Sequence, residues 1–518
     1  MRCSHLHAGI GLFALALAGC EVGLVGSSGA PGDADGDGEP DGPGGGDSGG
    51  GGDGGGDGEG WEPGVVATLE GVASTAACHG SPAGEDVTRL VDGDPATKFL
   101  GRGTSVWARV DVGAPAVLAS YALTSANDAP ERDPSAWVLE GSNDGVAWVA
   151  VDVRTGEDFA TRFERRELEV ATDRFFRHYQ LRMESVSGDM VQVAELELFG
   201  TRPGGAADAP PSPPADVVVT ALSRSTVRIS WRDASADEAL FRVEQSDGGA
   251  FETVTYAPAG ATSIELGGLP PGATRQFRVF AENAAGQSAP SEAASGGTQP
   301  ALTPTTSGDG SKRYSEGGYT LTVENRDAGT PQATIAAIVE EYFATYPAMR
   351  GAYNTGALSS LRVVFDPDYD GVAGATANDG RITISSSYAR AAPDDIGVIV
   401  HEGFHVVERI DNPDAPGWAI EGLADYARAR YGTHNAGSCW TMQHYQPGQS
   451  YTDAYGVTAA FLTWIEDEVH PGITGELDAA MRNQQYSASF WSARTGKTVD
   501  QLWQSYAADT TRAPATYR

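Results

Sequence analysis

Cysteine is scarce in this chain: four residues in 518. Cys3 and Cys20 fall in the N-terminal segment, and Cys78 and Cys439 lie far apart. That spacing is no disulfide framework, so the fold is expected to rest on apolar cores and on metals. Basic residues are scarce too. Lys and Arg number 35 against 70 Asp and Glu, a formal charge of −35, and no Lys/Arg run occurs. This excludes charge-driven binding to nucleic acid or to anionic lipid. Long apolar runs are missing. The N-terminal one, about Ile10 to Ala18, is too short to span a bilayer, and no other segment is a candidate. The length exceeds what one core supports, so about three domains are expected.

The N-terminus is informative. Arg2 precedes the apolar run, which ends in Leu17-Ala18-Gly19-Cys20, and small residues before a cleavage point mark a secretory signal. The order resembles a bacterial lipobox. The resemblance implies a lipoprotein signal over 1–19, acylation of the Cys20 thiol, and a cell-envelope protein anchored to a membrane at the outer membrane or cell surface. Residues 20–61 read as a tether: positions 21–60 hold ten Asp/Glu, no Lys or Arg and little that is apolar, so they cannot bury a core.

From 62 to 201 alternating apolar stretches appear, such as Val106-Trp107-Ala108-Arg109-Val110-Asp111-Val112, with turn signals such as Ser142-Asn143-Asp144-Gly145 between them. This predicts an all-β sandwich. The stretches LVDGDPATKF, VWARVDVG, RDPSAWVLEGSNDGVAW and VAELELFG resemble a discoidin (factor 5/8 type C, galactose-binding-like) domain. The resemblance implies a glycan or other cell-surface ligand held by loops at one end. It also implies a structural Ca2+ at Asp92, Asp94, Thr97 and Glu195, for which clustered oxygen donors are suited; Asp92-Gly93-Asp94 as a plain turn is the competing reading.

A Pro/Ala-rich linker (202–214) leads to residues 215–298. Val227-Arg228-Ile229-Ser230-Trp231, Leu269-Pro270-Pro271-Gly272 and Phe277-Arg278-Val279-Phe280-Ala281 resemble a fibronectin type III domain. Alternation turns Phe277, Val279 and Ala281 inward. Arg275 stands where such domains carry a corner tyrosine, so that corner hydrogen bond is in doubt. The expected role is a spacer.

After a polar linker (299–311), residues 312–518 place strands (361–365, 381–385) before helices, which predicts an α+β domain. Val372–Thr376 is a candidate edge strand for extended substrate. Asp366-Pro367-Asp368-Tyr369-Asp370-Gly371 mimics a calcium loop but lacks Glu at its twelfth position, and reads as a turn. Pro393-Asp394-Asp395 reads as a helix start carrying carboxylates at the positive end of the dipole.

The helix so begun carries His401-Glu402-Gly403-Phe404-His405. Histidines at i and i+4 share one face and can reach one zinc ion, with Glu402 beside it to take a proton from bound water. A catalytic zinc needs a third protein ligand. The next helix, opened by Pro416-Gly417-Trp418, offers Glu421, with Asp425 one turn on to orient a ligand histidine; spacing alone leaves room for another acid. Tyr455 is the candidate oxyanion donor, against a packed aromatic as the plain alternative, with His434 and His444 as substitutes.

HEGFHVVE, GWAIEGLADYAR, YTDAYGVTAAFLTWIE and TGKTVDQLWQSY resemble the plant and bacterial basic secretory protein family of zinc metallopeptidases. The resemblance implies a zincin-like (gluzincin-type) domain, with His401, His405 and Glu421 as Zn2+ ligands and Glu402 as general base. This chain is acidic where the family name says basic, so substrate preference does not carry over. The expectation is a monomeric metallopeptidase acting on protein or peptide. A non-catalytic adhesion or carbohydrate-binding lipoprotein with an inactive peptidase fold is the rival.

Overall fold

The computed structural model describes residues 67–509 except 70–71, 79, 104, 186–188, 205–206, 436–437, 439, 441, 443–444 and 446–447. The expected signal, Cys20 and the tether lie outside the described residues, as does His444. Among the described residues no helix is long and apolar enough to cross a membrane.

The chain is multidomain, with three separate apolar cores. The first belongs to an all-β domain. Its long strand Ser105–Thr124 pairs antiparallel with Phe175–Ser185 and Glu195–Thr201, and Pro134–Ser142 adds to the far side of Phe175–Ser185. Alternation puts Val106, Ala108 and Val110 in the core, leaving Trp107 and Arg109 on the opposite face. The second domain packs a three-stranded sheet against a five-stranded one. Phe277, Val279 and Ala281 are fully buried there, beside Trp231. Arg275 hydrogen-bonds the neighbouring Thr274 carbonyl at 3.1 Å, a contact that spans no corner.

The C-terminal domain holds a six-stranded mixed sheet and eight helices among the described residues. Its strands are β1 (Thr305–Thr306), β2 (Lys312–Glu316), β3 (Tyr319–Asn325), β4 (Ser360–Asp366), β5 (Ala373–Thr376) and β6 (Arg381–Ser385), in the order β1-β2-β3-β4-β6-β5. β3, β4 and β6 run parallel; β5 is an antiparallel edge. The helices are α1 (Gln332–Tyr353), α2 (Ser386–Ala391), α3 (Val398–Glu408), α4 (Gly417–Tyr431), α5 (Tyr455–Trp464), α6 (Ile473–Arg482), α7 (Phe490–Thr495) and α8 (Val499–Ala508).

Three expectations need correction. Strands do not all precede helices: α1 lies between β3 and β4 and supplies the crossover that a parallel pair requires. Its apolar stripe, Ile335, Ile338, Val339, Tyr342, Tyr346 and Met349, is buried. The metal-motif helix does not start at Pro393. α3 begins at Val398, with no acid in its first turn. Asp395 instead accepts hydrogen bonds from the Tyr388 hydroxyl and the Arg428 guanidinium. Finally, Cys78 is disulfide-bonded, to a partner outside the described residues, so a covalent link adds to the cores. Widely spaced cysteines gave no local sign of it.

The domains also touch. Trp107 Nε1 donates to the Ser438 carbonyl at 3.1 Å. Arg224 of the second domain pairs with Glu316 and, at 3.3 Å, with Glu340 of the third. Such anchoring goes beyond what a spacer needs.

Candidate metal centre

α3 is apolar on the side facing α1 and the sheet: Ile399, Val400, Phe404 and Val407 are buried. Burying that side turns His401 and His405, one helical turn apart, toward α4. α4 packs across α3 and brings up Glu421. His401 Nε2 lies 3.2 Å from His405 Nε2, and the Glu421 carboxylate lies 3.3 and 3.6 Å from them. These three residues form the group able to hold a metal ion among the described residues, with donor atoms within 4.8 Å of one another.

Each ring is held from behind. His401 Nδ1 donates to Asp425 Oδ1 at 2.7 Å, the role expected of Asp425. His405 Nδ1 donates to Glu408 Oε2 at 2.9 Å. These bonds fix the tautomer and leave both Nε2 lone pairs converging. The chemistry of the donor set therefore fits a cation: two imidazoles and a carboxylate converge with no Lys or Arg among them. The electrostatics say the same. Burial opposes charge on His401, but the bonds to Asp425 and Glu421 outweigh it and raise its pKa to about 9. His405 is likewise driven well above its ordinary value, Glu408 and Glu421 outweighing burial. Despite its own burial, Glu421 is held well below the carboxylate range by the two histidines.

Glu402 lines the same cleft, a space of about 1080 Å³. Burial pushes its carboxyl up, partly offset by the two histidines. Tyr455 stands opposite, its ring stacked on His401 with centroids 6.2 Å apart. It is 55% exposed, so it is not part of the buried core. It opens α5 instead of lying within it, and it and Ala454 both have positive φ (47° and 65°). Two such non-glycine residues in a row store strain of order 1–3 kcal/mol each. Gly422 makes the approach of α5 possible, because a Cβ there would lie 2.2 Å from Thr458 Cγ2. Burial, then the Glu421 and Asp425 carboxylates, push the Tyr455 phenol up to about 12.

The edge strand β5 forms another wall. Ser385 N donates to Val372 O at 3.0 Å, and continuing that register directs the main-chain groups of Ala373 and Ala375 away from β6. Both residues line the cleft. His434 is elsewhere, bonded to the buried Glu341 at 2.7 Å.

Sequence reasoning missed Glu408, although its i+3 spacing from His405 was a usable signal. It also missed Arg428, which lines the cleft with Trp440 stacked on it at 4.2 Å; no local pattern marks that pair.

In the first domain, Asp92 accepts from Asp94 N (3.0 Å) and Thr97 Oγ1 (2.9 Å). Asp94 turns its own carboxylate to Ala96 N (3.0 Å) and offers Thr97 its carbonyl. Glu195 is 6% exposed and reaches Asp92, yet its Oε1 has no partner. Burial and Asp92 raise its carboxyl to about 8. A buried carboxylate oxygen without a donor fits a hard cation.

Residues 305–506 match the family model described as "Peptidase of plants and bacteria", and residues 212–297 match the fibronectin type III domain. A curated relative, a peptide-N(4)-(N-acetyl-beta-glucosaminyl)asparagine amidase from Arabidopsis thaliana, is 42% identical over 88 residues, 16% of this chain and 12% of that protein's length. Among solved structures, CBM32-3 of a family 31 glycoside hydrolase from Clostridium perfringens is 14% identical with a TM-score of 0.24, covering 26% of this chain and 95% of that one. An F5/8 type C domain from Bacteroides fragilis is 12% identical with a TM-score of 0.22, covering 25% of this chain and 97% of that one.

Proposed function

We propose that the C-terminal domain is a zinc-dependent peptidase and that the first domain holds it at a glycan or other surface ligand, on a chain anchored through lipid at Cys20. The observation that carries the peptidase reading is the convergence of His401, His405 and Glu421 beside Glu402, inside a domain matched by a peptidase family model. Those three residues would hold the zinc, whose chemistry is to acidify a bound water and polarise a carbonyl.

The chain's own residues account for the rest. An extended peptide pairs with the outward main-chain groups of Ala375 and with the N–H of Ala373, whose carbonyl already accepts from the Tyr369 hydroxyl at 3.0 Å; this pairing fixes its direction through the cleft. Glu402 is buried beside the donor set, so its carboxylate is basic enough to accept a proton from water and pass it to the leaving amine. Tyr455 keeps its proton at neutral pH and presents an O–H at the mouth of the site, where it donates to the developing oxyanion. In the first domain, Asp92, Thr97, Glu195 and the Asp94 carbonyl would hold a structural Ca2+, for which the unpartnered Glu195 oxygen is the support.

The test is turnover of fluorescein-labelled casein by the full chain and by Glu402→Gln. Cleavage by wild type alone, lost to a chelator and restored by zinc, is the expected result. Equal cleavage by both proteins, or none by wild type across unfolded substrates, would favour a binding-only surface protein.

A further inference from the structure

The first domain touches the wall of the cleft. Trp107, 6% exposed, is fixed on its own domain by the Arg109 guanidinium at 4.2 Å. Its carbonyl accepts from Cys78 N at 2.9 Å, and Cys78 is disulfide-bonded and 2% exposed. Its indole N–H reaches out of the domain to the Ser438 carbonyl.

Ser438 is itself built in. It is 1% exposed, its Oγ donates to the Asn435 carbonyl at 2.9 Å, and the same Oγ accepts from Trp440 N at 3.3 Å. Asn435 is fully buried, and its Nδ2 donates to the Arg428 carbonyl of α4 at 2.7 Å. Trp440 then lies over the Arg428 guanidinium at 4.2 Å, and both line the cleft with His401 and Glu402. Four hydrogen bonds and one cation–π contact thus connect Trp107 with Trp440 and Arg428. Without the Trp107 bond, the Ser438 carbonyl loses its donor in a buried place, which weakens the support of Trp440.

We infer that the first domain is a working part of the peptidase cleft: Trp107 is a positioning residue for Trp440 and Arg428, the wall against which the substrate lies. The inference rests on the peptidase reading of the cleft. It assigns the domain a role beyond targeting, because substrate fit at the metal site depends on it.

The experiment uses the full chain as wild type, as Trp107→Phe, which keeps the ring over Arg109 but removes the N–H, and as Arg165→Ala, an exposed control in the same domain. Amide exchange of the segment 433–457 and the KM and kcat for fluorescein-labelled casein are read together. Trp107→Phe is expected to speed exchange around Trp440 and raise KM about threefold to tenfold, the worth of one neutral hydrogen bond. kcat and metal content stay unchanged, and the control behaves as wild type. Wild-type exchange and KM in Trp107→Phe would overturn the inference. If casein is not cleaved at all, the peptidase reading fails by itself and exchange still decides the contact.

Discussion

Replacing Glu408 by Gln tests whether the metal site extends beyond its three donors. Glu408 is 1% exposed, and its Oε2 accepts from His405 Nδ1 at 2.9 Å while its Oε1 has no partner. Its charge is therefore not shared with water. Gln keeps the volume and an acceptor for Nδ1–H but removes the charge that makes His405 a stronger donor at Nε2. Changes of this kind cost about 10- to 100-fold in metal affinity, or ~1.4–2.7 kcal/mol. The assay is zinc competition against a chromophoric chelator, with circular dichroism to check the fold. Glu466→Gln is the control. Glu466 accepts from the main-chain N–H of Gly472 at 2.6 Å and of Thr474 at 3.0 Å at the start of α6, so its loss costs stability, about 1 kcal/mol, and no zinc affinity. Wild-type affinity in Glu408→Gln, or an equal loss in Glu466→Gln, would refute the reasoning.

Tyr455→Phe is expected to lower kcat about a hundredfold with little change in KM, since the phenol meets the oxyanion and not the ground state; steady-state kinetics with unchanged kcat would remove Tyr455 from the reaction. Asp478 on α6 is fully buried beside Arg482 (2.9 Å), and burial and then the Glu408 charge push its carboxyl up to about 8. The folded state thus keeps a proton that the unfolded chain loses above its ordinary value of 3.8. Stability from this group is full below that value and falls as pH rises toward about 8, by at most on the order of 5 kcal/mol. Asp478→Asn should flatten the dependence of the urea midpoint between pH 5 and 8; an unaltered slope would show that Asp478 does not cause it.

Much of this was legible in the chain because the carriers are periodic. His401, Glu402 and His405 share a helix, and Glu421 and Asp425 share the next, so 3.6-residue spacing places them. Alternation likewise showed the inward side of Phe277, Val279 and Ala281. What spacing could not show is what topology brings together. α1 was missed as a crossover because only pairing reveals that β3 and β4 are parallel. Asp395 read as a helix-starting acid, yet Arg428, 33 residues on, recruits it into the cleft wall. Gly397 permits this, since a Cβ there would meet Arg428 Nε at 2.6 Å. The Trp107–Ser438 bond spans 331 residues; no local pattern encodes such a contact.

The central claim is that His401, His405 and Glu421 hold a catalytic zinc. X-ray absorption at the zinc edge, on the full chain purified without added metal and then loaded with one equivalent, tests it most directly. Two imidazole nitrogens and light oxygen donors at about 2.0–2.1 Å are expected around the zinc, with one nitrogen lost in His405→Ala. A shell containing sulfur, or one unaltered by that substitution, would contradict it.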